Sequence, residues 1–171
     1  MNLKDLEIKV DKPYPELLDV KEDFQTVAIL KNLVSSRMGE FAGASQYIYQ
    51  SVIADKTNED IAEILEEIGV VEMIHLDVLM HAITSFGGVP KYEDSQGNFF
   101  NTANLNYSTK LRDMLDNNIR SESVAIENYQ MAINRVSNQS LKDLFARIIE
   151  DEKKHLEIFK HLRDNVEFMS I

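Results

Sequence analysis

Apolar residues recur at every third and fourth position over most of the chain, which is the period of an amphipathic helix and not the alternation of a strand. From about Asp19 to Asp55 the stripe runs through Val27, Leu30, Val34, Met38 and Phe41 and predicts a first long helix. A second is predicted to start near Thr57 or Asn58, either of which can cap it, with Glu59 and Asp60 in its first turn. It stops at Phe86, ahead of Gly87, Gly88, Val89 and Pro90. Lys91 to Tyr107 is rich in Asn, Ser and Gly without a sustained period and reads as a loop. A third helix spans about Ser108 to Arg135, and after a break over Val136–Ser140 a fourth ends near Asn165.

Short, long and short connections set the topology. The brief breaks near residues 56 and 138 make two antiparallel hairpins. Twenty linking residues reach up to ~65 Å, more than the ~40 Å length of a helix of this size, so the middle loop can run back along the bundle. The expectation is an all-α four-helix bundle with one long crossover between the second and third helices. It occupies residues 21–166, after an N-terminal arm over 1–20 interrupted by Pro13 and Pro15, and before a tail over 167–171.

Composition narrows the function. The chain has 171 residues, enough to bury a core without staples. No run of eighteen apolar residues is present, and Met1 to Val10 lacks the apolar stretch of a signal peptide, so a cytoplasmic location is expected. With no cysteine, disulfides, thiolate metal sites and iron–sulfur centres are excluded. A net charge of −11 argues against nucleic acid as a partner and reads mostly as solvated helix faces.

A few carboxylates do not fit solvated faces. Glu72, His75, Leu76, Asp77 and His81 recur at the same spacing as Glu152, His155, Leu156, Glu157 and His161. Glu40 lies seven residues before Tyr47, and Glu122 seven before Tyr129. The offset between the halves is 80 residues for the Glu-x-x-His pair and 82 for the Glu–Tyr pair, so the chain reads as a duplication. Glu40 and Glu72 lie equally far from the first turn, and Glu122 and Glu152 nearly equally far from the second, so each pair meets at one height. Glu and His at i and i+3 share a helix face and can ligate one centre. Val34, Met38, Phe41 and Ile48 beside Glu40, and Ile119 and Ile126 beside Glu122, turn these faces inward. Each unpaired buried charge costs on the order of several kcal/mol, and four carboxylates at one height repel. Two divalent cations would cancel the four negative charges. Carboxylate with imidazole suits iron, manganese or zinc better than magnesium or calcium. Without ions, the clustered carboxyls should make the protein more stable near pH 5 than pH 7.

One Glu from each of two helices, plus Glu-x-x-His from each of the other two, resembles the ferritin-like di-metal carboxylate superfamily, which includes bacterioferritin, rubrerythrin and manganese catalase. The resemblance covers residues 21–166. It implies Glu40, Glu72, His75, Glu122, Glu152 and His155 as ligands to two iron or two manganese ions per chain, with zinc able to substitute. The stretches Gly39–Tyr47 and Ile68–Leu76 look most like the rubrerythrin and catalase branch. Members commonly place an Asp just before the ligand Glu to orient the histidine of the opposite half. Asp151 fits that role toward His75, whereas Val71 occupies the equivalent position before Glu72. Rubrerythrins carry a further Glu three residues after the third-helix ligand, and here Ala125 stands there. Glu127, about 140° around the helix, is expected to face water.

Tyr47 and Tyr129, two turns from Glu40 and Glu122, suit hydrogen bonds to the ligands as readily as plain core packing. His81 and His161 are read as non-ligands, paired at i, i+4 with Asp77 and Glu157. The small residues Gly39, Ala42, Gly43 and Ala44 allow close helix packing.

The resemblance implies a small oxidant, hydrogen peroxide or O2, as substrate. A rubrerythrin-like peroxidase would need an external electron-donor protein, since no cysteine is available for the usual iron domain. A manganese-catalase-like oxidoreductase needs no donor. Iron storage, or metal binding without turnover, ranks below both, because the chain ends soon after the fourth helix. A homodimer is the expected assembly.

Overall fold

The computed structural model describes residues 6–165 and, among them, an all-helical bundle. Its helices are α1 (Phe24–Ser35), α2 (Glu40–Ala54), α3 (Glu59–Ser85), α4 (Leu111–Arg135) and α5 (Gln139–Asn165), with a 3-10 turn at Thr102–Asn104 in the crossover. The predicted tail, residues 167–171, lies outside the described residues.

Caps fix the starts. The Asp23 side chain accepts from the amides of Gln25 and Thr26, so the first helix begins at Phe24 and not at Asp19. Asn58 accepts from the amide of Ile61 and starts α3. The hairpins α2–α3 and α4–α5 form the two halves, with turns at residues 55–58 and 136–138.

The first predicted helix is broken in two. Ser36 and Gly39 both adopt extended backbone, separating α1 from α2. Apolar spacing alone does not reveal this, because Val34, Met38 and Phe41 keep helical period across the gap. The cause is steric. A Cβ at Gly39 would lie 2.4 Å from the carbonyl oxygen of Leu33, so only glycine lets the chain fold back this closely. The break makes Glu40 the first residue of α2.

Two apolar clusters fill the interior. One joins Leu30, Leu79, Ile83, Phe145 and Ile148, and the other Ile61, Leu65, Ile68, Leu115 and Phe159. Residues 72–75 of α3 and 151–155 of α5 fall between the segments that supply them. The crossover is pinned along α2: Phe41 packs on Tyr92 and Phe100, and the Gln46 side chain both donates to the carbonyl and accepts from the amide of Asn106, each at 2.6 Å. By length and composition α3 could cross a membrane, but its apolar face is core and its face also carries buried Glu72 and His75.

Candidate metal centre

The structure brings the six predicted ligands together. Glu40 comes from α2, Glu72 and His75 from α3, Glu122 from α4, Glu152 and His155 from α5. All are buried, the histidines completely. They form two overlapping groups, Glu40–Glu72–His75–Glu152 and Glu72–Glu122–Glu152–His155, whose donor atoms lie within 4.8 Å of one another. Glu72 and Glu152 belong to both. Each histidine turns Nδ1 inward: that of His75 lies 3.1 Å from Glu152 Oε1 and 3.5 Å from Glu40 Oε2, and that of His155 lies 3.0 Å from Glu72 Oε1 and 3.5 Å from Glu152 Oε2.

The donor set fits metal ions. Glu40 Oε2, Glu72 Oε1, both Glu152 oxygens and both inward Nδ1 atoms are buried without a hydrogen-bond partner among the described residues. So many unpartnered donor atoms converging in a core would be very costly unless something binds them.

Electrostatics describe the same demand. Burial, then the neighbouring Glu72 and Glu152 charges, push the Glu40 carboxyl well above the usual range. Burial and Glu152 do the same to Glu122. Burial would also raise both Glu72 and Glu152, yet the nearby His155 and His75 imidazoles hold Glu72 low, and Glu122, then the same two imidazoles, hold Glu152 low. Burial opposes charge on the histidines, but Asp151 and the glutamates around His75 raise it well above the ordinary value. Glu152 and Glu72 raise His155 to about 9. Without ions, these directions favour protons on Glu40, Glu122 and both imidazoles.

The tyrosines bond across the bundle. The Tyr47 hydroxyl donates to Glu122 and the Tyr129 hydroxyl to Glu40. Each therefore meets the glutamate of the other hairpin, and not the one two turns away on its own helix. Two turns span about 11 Å, beyond a tyrosine's reach. Antiparallel α2 and α4 supply the crossed partner instead, as the Gln50–Asn118 amide pair one turn further on also shows.

Asp151 is buried with Oδ2 3.2 Å from His75 Nε2. Burial would raise its carboxyl, but His75, Arg147, the Val10 amide and the Tyr14 hydroxyl together hold it well below the usual carboxylate range. Tyr14 and Arg147 were not legible as site residues, since the arm contributes mainly backbone groups; Arg147 standing four residues before Asp151 on one helix was the available signal. Outside the centre, His81 is exposed 3.7 Å from Asp77. His161 sits beside Asn165, in place of the expected Glu157 contact. Glu127 is exposed, and Ala125 lines a cavity of about 210 Å³. That cavity opens onto Glu40, Glu72, Glu122 and Glu152 from between α2, α4 and the crossover, with Gly43 and Gln46 in its wall.

A family model described as Rubrerythrin matches residues 31–163. No curated protein sequence matches the chain. Among solved structures, KatB, a manganese catalase from Anabaena PCC7120, is similar at 22% identity with a TM-score of 0.84, covering 92% of this chain and 80% of its own. The bacterioferritin of Rhodobacter capsulatus is similar at 21% identity with a TM-score of 0.74, covering 87% and 89%. That of Desulfovibrio desulfuricans, whose structure describes a diiron site, is similar at 19% with a TM-score of 0.70, covering 85% and 82%. At these identities the structural likeness establishes the ferritin-like fold.

Proposed function

The chain belongs to the rubrerythrin family, and from that premise we propose that it is a di-metal carboxylate oxidoreductase acting on hydrogen peroxide or O2. One observation carries the reading: two buried four-residue groups share Glu72 and Glu152 and aim unpartnered oxygen and nitrogen atoms at two adjacent points. Glu40, Glu72, His75 and Glu152 would hold one ion, and Glu72, Glu122, Glu152 and His155 the other. Iron and manganese both suit this donor set. A pair of such ions supplies two-electron redox change and a clamp for one small oxygen species.

The protein's own groups do the rest. Tyr47 and Tyr129, by donating to Glu122 and Glu40, fix which carboxylate oxygens face inward. Asp151 orients His75. The cavity beside Gly43 and Gln46, about 210 Å³, gives a small oxygen species a route to the four glutamates. The cysteine-free sequence offers no thiolate-bound iron to relay electrons, which favours disproportionation, with one peroxide oxidised to O2 and a second reduced to water. Peroxidase turnover would instead draw on an external electron-donor protein. The proposal extends to a cytoplasmic location and, as the commonest assembly, a homodimer.

The test is metal content per chain after production with iron and manganese both supplied, followed by O2 release from peroxide. About two equivalents of either metal, with O2 evolved without added reductant, supports a catalase-type enzyme. Two equivalents with turnover only when a reductant is added would assign a peroxidase. Far less than one equivalent after reconstitution would remove the enzyme reading.

A further inference from the structure

The two ion positions have chemically equal ligand sets, because each adds one glutamate and one histidine to the shared Glu72 and Glu152. Their surroundings are unequal. Resting on the di-metal reading above, we propose that the N-terminal arm makes the His75 position the tighter of the two, by clamping Asp151 against His75 while His155 is left without such support.

The clamp is built from the arm and α5. Asp151 Oδ1 accepts from the Val10 amide at 2.7 Å and pairs with Arg147 Nη1 at 2.8 Å. Its Oδ2 accepts from the Tyr14 hydroxyl at 2.7 Å and faces His75 Nε2 at 3.2 Å. Arg147 donates to the carbonyls of Val10 and Lys12, and its guanidinium lies 4.7 Å from the centre of the Tyr14 ring. That ring meets the His75 imidazole edge-on with centroids 5.8 Å apart. Pro13 and Pro15 flank Tyr14 and restrict the arm's backbone before it docks. His75 is thus held at its outer nitrogen and against one side of its ring, so the Nδ1 lone pair stays aimed inward.

Among the described residues, none supports His155 in this way. Its Nε2 is buried without a partner among the described residues. The position on α3 that corresponds to Asp151, one before Glu72, is Val71, which lies in the apolar cluster with Ile8 of the same arm. The arm therefore presents polar groups to one half of the duplication and an apolar side chain to the other. Support of the kind Asp151 gives His75 is worth roughly 10- to 100-fold in metal affinity.

Repulsion between two ions separates the binding steps even in a symmetric centre, so the discriminating quantity is a selective change. Metal-free full-length protein is titrated with Co(II), followed by its visible absorption, in wild type and in Tyr14→Phe, which removes one hydroxyl and keeps the ring. The first-step affinity should fall about tenfold or more while the second is unchanged. Asp151→Asn, which keeps shape and loses charge, should fall further on the same step. Urea midpoints of the metal-free variants, measured alongside, separate loss of affinity from loss of fold. Equal weakening of both steps, or none, overturns this inference and leaves the di-metal reading standing. Failure of the wild type to bind any Co(II) overturns both.

Discussion

Glu152 is the residue on which most converges. It belongs to both four-residue groups and faces both inward imidazoles. Glu152→Ala should therefore take metal content from two ions per chain to well under one, with activity lost in step, as read by elemental analysis. His81→Ala, on an exposed side chain at the bundle surface, should retain both. Full occupancy in the Glu152 variant would sink the assignment. The cluster was legible because side chains that converge from one helix face need a fixed spacing, and the duplication prints that spacing twice. The crossed tyrosine bonds were not. Sequence spacing reports neighbours on one helix, while the partner of Tyr47 is set by how α2 packs against α4.

At the scale of elements, the bundle was readable from period and punctuation, and two features escaped that reading. The break before α2 leaves the apolar stripe intact and is enforced by one missing Cβ. Gly39→Ala should cost about 1–3 kcal/mol, because the clash is with backbone and not with a flexible side chain. It should also weaken metal binding, since Glu40 begins the helix that the break positions. A lower urea midpoint with reduced metal content is the expected result; a higher midpoint would mean that α1 and α2 can merge without penalty. The arm escaped for a different reason. It acts through the amide of Val10 and the carbonyls of Val10 and Lys12, which any residue would supply, so only Tyr14 leaves a trace in the sequence.

For the molecule as a whole, the centre sits between two apolar clusters and couples fold stability to protons and metal. Glu40 and Glu122 have carboxyls raised in the folded state, mainly by burial, so their contribution is full below the ordinary value of 4.5 and is lost as pH rises above it. Both histidines are raised against burial by their carboxylate partners. The contribution of His155 is full below 6.5 and lost as pH rises through about 9. Glu72, Glu152 and Asp151 are held low, so their stabilisation is present above ordinary carboxyl values and is lost only in acid. These directions place maximum stability of the metal-free protein near the ordinary carboxyl value of about 4.5, with a decline toward pH 9. Metal ions replace the protons on Glu40, Glu122 and the imidazoles, so binding should release protons, and the loaded protein should lose the alkaline decline. Urea midpoints at pH 5.5, 7 and 9, with and without chelator, check this. A metal-free midpoint that rises across that range would mean the four carboxyls do not share one buried centre, and a chelator effect that shrinks with pH would mean the ions do not compete with those protons.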